Sequence, residues 1–292
     1  MLTIQSALAQ AEYLLSETAG TSRSRTARLD AQLLLAHVIE VDRSALYAHP
    51  ERMLTLEQEQ RYVSLIERRA NGEPVAYLTG HKEFFGLDLL VDKRVLIPRP
   101  ETELLVESAL RLCRERLNAG RTPIVADIGT GSGAIPIAIA VNEPRLPYLY
   151  ASDISEDALA VAALNCRAYH VAERVHLLHG DLDAPLPEPV DIVTANLPYV
   201  GSDETTRMDS EVLLYEPHLA LFSGTNGLGH IERLFTNLAS SRTLLPGAVL
   251  LLEIGYAQRE ALTSLLATLW PQARATFLQD YAGWDRVAVV LT

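Results

Sequence analysis

The 292-residue sequence predicts an α/β protein: a doubly wound, mostly parallel sheet of seven strands, preceded by a small N-terminal helical domain and a connecting β-hairpin. Three observations predict it. Up to residue 74 the apolar residues recur at helical spacing, whereas after residue 99 short apolar runs alternate with helical patterns, as strand-helix-strand units do. Only AGWD separates the last two apolar runs, ATFLQDY and RVAVVLT, which is too short for a crossover, so these two strands are expected to pair antiparallel.

The elements follow in order. Ile4, Leu8, Ala11, Leu15 and Thr18 keep one helical stripe, and after a Ser/Arg-rich turn Leu29, Leu33, Ala36 and Ile39 keep another. Thr55 with Gln58 three residues on is a capping box, opening a helix whose stripe is Leu56, Val63, Ile66 and Ala70. NGEP, residues 71 to 74, punctuates the chain and closes the helical domain at 1–74. AYLTG and LDLLVD flank HKEFFG and read as a strand pair, so residues 75–98 are expected to be a connecting hairpin. The third region, 99–292, starts with a helix over Glu101 to Leu117, a strand in PIVADIG, a helix from Ser132, a strand in YLYASD and a helix from Ser155. It continues with strands in RVHLLHGD and PVDIVTAN, the helical GLGHIERLFTNLASS, a strand in GAVLLLEIG, a helix over 257–269 and the final strand pair.

Composition excludes several classes of function. With 48% apolar and 21% charged residues the chain is an ordinary globular sequence that needs no staples. Cys113 and Cys166 each lie inside an apolar periodic segment with no CxxC partner, which argues against a disulfide framework or a zinc site. His176 and His179 fall on opposite or offset faces of one strand and have no third ligand in view, so no metal site is expected there. A net charge of −12 speaks against stable nucleic-acid binding, which draws its affinity from Lys and Arg on phosphates. The opening MLTIQSALAQAEYLL lacks the basic start and small-residue cleavage site of a signal peptide, and no apolar run is long enough to cross a bilayer. A cytoplasmic protein without membrane association is expected.

Chemistry concentrates at two strand ends. In VADIGTGSGAI an apolar strand runs into Gly129, Gly131 and Gly133 and then into a helix, where glycines let the backbone approach a ligand and the helix N-terminus offers free N–H groups. Asp153 closes the next strand about twenty residues on, placed to accept hydrogen bonds from both hydroxyls of a ribose. Gly129, Gly131 and Ala134 also satisfy GxGxxA, so a nicotinamide dinucleotide survives these residues alone. Asp127, which makes the run DxGxGxG, and Asp181 at the end of the third strand, where an adenine or its water shell would lie, shift the resemblance to the S-adenosylmethionine-dependent methyltransferase fold. Thr130 and Ser132 between the glycines, Leu182 beside Asp181, and Asn196 complete the candidate cofactor set.

TANLPYVG places Asn196, Leu197, Pro198 and Tyr199 after the fourth strand of this unit, at the carboxyl edge where open α/β sheets bind ligands. An amide or aromatic amine is a poor nucleophile because its lone pair is delocalised. Two oxygen acceptors aimed at its two N–H bonds would orient it and favour the positive charge that develops on nitrogen during methylation. The Asn196 side-chain oxygen is one candidate and the Leu197 carbonyl the other, with Pro198 restraining Leu197 to extended backbone and Tyr199 supplying a ring to stack on a planar group.

GEPVAYLTGHKEFFGLDLLVD, LIPRPETE, DIGTGSGAI, NLPY and YEPHLALFSGTNGL together resemble the bacterial protein-glutamine methyltransferase family that modifies peptide chain release factors, often called PrmC or HemK. The resemblance spans almost the whole chain and implies S-adenosylmethionine as methyl donor, the glutamine of the release-factor GGQ motif as acceptor, and the helical domain as the docking element. In that family the tetrapeptide is NPPY. Leu197 departs from it: its main-chain carbonyl is still available, so the chemistry is expected to survive, while the N–H it keeps and its greater backbone freedom leave room for a looser pocket or an altered substrate preference. NLPY also resembles the tetrapeptide of adenine methyltransferases acting on ribosomal RNA, so adenine methylation of RNA or DNA is the alternative; the acidic charge, the helical domain and LIPRPETE favour glutamine. Arg99 and Glu101 are candidates for the entrance to the site, Phe84 and Phe85 for packing the hairpin, Glu216 and Pro217 for shaping a nearby loop, and Arg207 for meeting the substrate.

Overall fold

The computed structural model describes residues 1–18, 26–201, 208–224 and 226–292. The Ser/Arg-rich turn and Arg207 fall outside the described residues. The chain forms two compact units, residues 1–81 with 209–215, and residues 82–208 with 216–292.

The first unit is helical. Its helices are Ile4–Thr18, Ala27–Ile39, Ala45–Ala48, Leu56–Ala70, Val75–Thr79 and Ser210–Tyr215. Leu34, Leu35, Leu46, Tyr62, Ile66 and Leu78 are among the residues that fill its core. Thr55 caps its helix in both directions, accepting from Gln58 N while the Gln58 side chain accepts from Thr55 N. The inward stripe of that helix is not the expected one, because Leu56 and Val63 are exposed and Tyr62, Ile66 and Arg69 are buried. Hydropathy alone rejects Arg69, but ion pairing makes its burial tolerable. Its Nε donates to Asp30 Oδ2 at 2.7 Å and its Nη1 to Glu211 Oε2 at 2.6 Å. Leu29 and Leu33 are likewise more exposed than expected, since the helix Ala27–Ile39 buries Ala31, Leu34, Leu35 and Val38 instead.

AYLTG is a helical turn and not a strand. Tyr77 N and Leu78 N both close on Pro74 O, whose residue has the extended ψ of a helix start, and Gly80 ends the turn at φ 77. The hairpin is therefore confined to β1 (His81–Phe84) and β2 (Leu87–Leu90), joined by Phe85 and Gly86, both at positive φ as a two-residue hairpin turn requires. Phe84 is buried in the core against the helix Glu103–Asn118, as expected of a packing residue.

The second unit carries the seven-stranded sheet, formed by β3 (Val125–Ile128), β4 (Leu149–Asp153), β5 (Val175–His179), β6 (Val190–Ala195), β7 (Leu244–Glu253), β8 (Arg274–Gln279) and β9 (Asp285–Leu291). Their order is β5-β4-β3-β6-β7-β9-β8; the pairs from β5 to β7 are parallel, and β9 is antiparallel to β7 and to β8, as the short AGWD connection requires. Successive strand residues enter opposite apolar clusters. Val125 and Ile192 pack on one face with the helices Glu103–Asn118 and Ala134–Asn142, while Ala126 and Val193 pack on the other with Gly229–Ser240 and Arg259–Leu269. Both faces are covered, which is why these strands read as unbroken apolar runs. Chain direction along the sheet reverses between β3 and β6, so the space beyond their carboxyl ends is the topological switch point.

Removing the buried guanidinium leaves Asp30 and Glu211 without their shared cation. Arg69→Met is expected to lower the unfolding free energy by about 3 kcal/mol in urea denaturation; a loss below about 0.5 kcal/mol, the range of an exposed pair, contradicts the buried-pair account.

Candidate active site

Register sets the site. Ile128 of β3 pairs with Ala195 of β6 and with Ser152 of β4, so Gly129, Asn196 and Asp153 leave the sheet at one edge, side by side. A cleft of about 1140 Å³, counting its open mouth, lies there. Among its lining residues are Gly129, Thr130, Gly131, Ser132, Asp153, Asp181, Leu182, Asn196, Leu197 and Pro198. Asp127, Gly133 and Tyr199 are not on its wall.

The glycine loop is held from below. Gly129 N and Thr130 N both donate to Ser152 O at 2.9 Å, Gly131 N donates to Asp153 Oδ2 at 2.8 Å, and Asn165 Nδ2 donates to Ser132 O at 2.9 Å. Two glycines have separate reasons. At Gly129, φ 74, an added Cβ would stand 2.9 Å from Leu197 Cδ2, so the loop and the tetrapeptide touch where the missing side chain makes room. At Gly131, φ 56, an added Cβ would meet nothing within 4 Å, which leaves the backbone open to the cleft. The helix expected from Ser132 starts at Ala134, because the chain needs Gly133 at φ 79 before it can turn into the helix.

Asp127 lies under the loop. It is fully buried, its Oδ1 accepts from Thr194 Oγ1 at 2.7 Å, and its Oδ2 has no partner among the described residues. Burial pushes its carboxyl up to about 6 against the lowering effects of the Thr194 and Thr130 hydroxyls. Thr130 lines the cleft, but its hydroxyl is buried and acts on the Asp127 carboxyl, so it belongs to the support beneath the loop. Open backbone at Gly131, where no side chain crowds the loop, fits a ligand that lies against it. Asp153 has one oxygen on Gly131 N and the other on Ser155 N at 2.9 Å, and Asp181 is ion-paired with Arg233 on the cleft wall.

The tetrapeptide is fixed at both ends. Asn196 Nδ2 donates to Thr102 Oγ1 at 3.1 Å, and Thr102 Oγ1 donates to Glu253 Oε2 at 2.6 Å. Tyr199 OH donates to Glu253 Oε1 at 3.3 Å, and Gln258 Nε2 donates to Tyr199 O at 2.9 Å. Tyr199 thus braces the chain through its hydroxyl, where burial pushes the phenol up, while its ring is half-buried beside the cleft wall. Leu197 is buried against Gly129, so the apolar side chain that departs from NPPY is packed and not loose. Among the described residues, Asn196 Oδ1 and Leu197 O accept no hydrogen bond.

Other expectations are resolved around this edge. Arg99 donates to Glu216 Oε1 at 2.5 Å, and Glu216 Oε2 accepts from Ile97 N at 3.1 Å, so the buried Glu216 ties LIPRP to the YEP loop. Pro98, Thr102, Pro217 and Leu219 line the cleft; Arg99 and Glu101 do not. Sequence reading passed over Thr102, His230, Arg233 and Glu253. Glu253 did carry a signal, being a lone acid at the carboxyl end of the apolar run AVLLL.

Residues 6–80 match the PrmC N-terminal domain and residues 104–224 the methyltransferase small domain. A release factor glutamine methyltransferase of Moorella thermoacetica is 40% identical over 286 residues, 98% of this chain and 97% of its own. Another, from Xylella fastidiosa strain 9a5c, is 41% identical over 273 residues, 93% of this chain and 95% of its own. Two solved structures are similar in fold. The hMettl16 catalytic domain in complex with MAT2A 3′UTR hairpin 1 has a TM-score of 0.55 at 14% identity, covering 85% of this chain and 84% of its own. A methyltransferase from Pyrococcus furiosus has a TM-score of 0.50 at 17% identity, covering 77% and 95%.

The native state binds its Asp127 proton more tightly than the unfolded chain, whose carboxyl keeps the ordinary value near 3.8. Asp127 therefore makes stability fall as pH rises from about 4 to about 6, with no further change above. Asp127→Asn removes this contribution. The unfolding free energy of the variant minus that of the parent is expected to grow by on the order of 2 kcal/mol between pH 4 and pH 7, and a pH-independent difference contradicts it.

Proposed function

The chain belongs to the release factor glutamine methyltransferase family, and from that premise we propose that it transfers a methyl group from S-adenosylmethionine to the side-chain amide nitrogen of the glutamine in the GGQ motif of peptide chain release factors. The observation that supports this reading is the close approach of the glycine loop to NLPY at Gly129, with two oxygens that accept no hydrogen bond among the described residues, Asn196 Oδ1 and Leu197 O, on residues lining the same cleft.

When bound, S-adenosylmethionine supplies a methyl carbon activated by its sulfonium. Gly129, Thr130, Gly131 and Ser132 would line its seat, with the Gly131 backbone left open for close approach and the Ser132 N–H meeting no acceptor within the loop. Asp153 would accept from its ribose, and Asp181 with Leu182 would border its adenine. Asp127 and Gly133 support the loop from beneath the wall. Asn196 Oδ1 and the Leu197 carbonyl would accept the two N–H bonds of the glutamine side chain, which fixes the amide plane and stabilises positive charge on nitrogen as it develops. Pro198 has no N–H to compete for those oxygens and restrains Leu197 to extended backbone, so the carbonyl is set before substrate arrives. A methylated nitrogen carrying positive charge is acidic and yields its proton to water, so no dedicated base is needed.

Residues 1–74 would dock the release factor, 99–292 carry the chemistry, and 75–98 connect them. The absence of any helix long and apolar enough to cross a membrane among the described residues is compatible with a partner met in the cytoplasm.

Incubation with a release factor and S-adenosylmethionine is expected to add one methyl to the GGQ glutamine by peptide mass analysis. Asn196→Ala is expected to slow this transfer by about 10²-fold or more while S-adenosylhomocysteine binding changes by less than about threefold. An unchanged glutamine mass, or methylation of adenine in a bare oligonucleotide instead, contradicts the assignment.

A further inference from the structure

Asn196 has an amide whose two ends match in shape and differ in hydrogen-bonding sense. Only with its oxygen towards the cleft does it serve an NH₂ group; reversed, it presents N–H to N–H. NLPY does not by itself fix which end faces the substrate. Thr102 and Glu253 lie behind it, from the 3₁₀ turn Pro100–Thr102 and the end of β7.

We propose that Thr102 and Glu253 are positioning residues that set the polarity of Asn196, holding its NH₂ end inward so that Oδ1 is the end offered to the substrate amide. This rests on the methylation reading above for what the substrate is, but the polarity itself follows from hydrogen-bond directions. An ionised carboxylate only accepts. Glu253 Oε2 therefore takes the single hydrogen of Thr102 Oγ1, at 2.6 Å, and Oε1 takes that of Tyr199 OH, at 3.3 Å. With its proton committed, Thr102 Oγ1 has only lone pairs for Asn196, and it accepts Nδ2–H at 3.1 Å. An inverted amide would put Oδ1 against that oxygen with no proton between them.

The relay is dry. Thr102 and Glu253 are buried, so no bulk water offers Thr102 a second acceptor. Burial raises the Glu253 carboxyl to about 6, with the hydroxyls of Thr102 and Tyr199 and the charge of Arg286 lowering it and Glu101 raising it; at neutral pH it is the acceptor the relay needs. Each bond in the series polarises the next in the same sense, which also makes Oδ1 a better acceptor.

Thr102→Val keeps the branched shape and removes the hydroxyl, Thr102→Ser restores the hydroxyl, and Glu253→Gln puts a donor into a position that must only accept. Methyl transfer to the release factor is expected to lose about 10²-fold in kcat for Thr102→Val and Glu253→Gln, with KM for S-adenosylmethionine within about threefold, and Thr102→Ser to stay within about threefold of the parent. Selective ¹⁵N labelling of asparagine adds a readout that needs no substrate: one Asn196 amide proton is expected to exchange slowly in the parent and in Thr102→Ser, and to exchange freely in Thr102→Val. Parent-like kcat in Thr102→Val, equal impairment of the Ser and Val variants, or exchange unaffected by Thr102→Val each overturns the proposal. If the parent does not methylate the GGQ glutamine, the functional reading fails, and the exchange measurement still decides the relay.

Discussion

The site depends on the direction of a single side-chain amide. Asn196 can serve an NH₂ group only if something behind it accepts its own N–H, and an acceptor in a buried position must itself be kept from donating. A carboxylate at the end of one strand, a threonine in the turn before the first helix of the unit and an asparagine at the end of another strand meet this need together. None is informative alone. Glu253 gives Thr102 its direction, and Thr102 passes that direction on.

Sheet topology brings the three into reach. β6 and β7 are parallel neighbours, so their carboxyl ends carry Asn196 and Glu253 to the same edge. β3 on the other side of β6 delivers the glycine loop to that edge, with Gly129 level with Asn196. Gly129 then has two duties, since it holds a left-handed turn and leaves room for Leu197. In this chain the residue at the family's first proline is a leucine, and its side chain finds a packed seat where the backbone offers no Cβ.

Much of this was legible in the sequence because it rests on periodicity and on glycine. Alternating strands and helices, the antiparallel close and the capping box at Thr55 all follow from local spacing and turn chemistry. AYLTG misled because four apolar or β-prone residues before a glycine suit a strand as well as a helical turn, and Pro74 decided for the turn through two hydrogen bonds that no pattern displays. The stripe of the helix Leu56–Ala70 misled for another reason: Arg69 is buried by pairing with Asp30 and Glu211, residues distant in sequence. In the site, strand ends were readable as ligand positions, but the partnership of Thr102 with Glu253 spans 151 residues and lies beyond any local signal. Tyr199 was read as a stacking ring from its type, and nothing local announced that its hydroxyl also braces Glu253.

The most direct test is a crystal structure of the protein with S-adenosylhomocysteine and a GGQ peptide bound. The account predicts the glutamine amide nitrogen within hydrogen-bond distance of both Asn196 Oδ1 and the Leu197 carbonyl, with Asn196 Nδ2 still on Thr102. A glutamine whose carbonyl oxygen faces Asn196 Nδ2, or one that binds away from NLPY while the cofactor fills the glycine cleft, would contradict it.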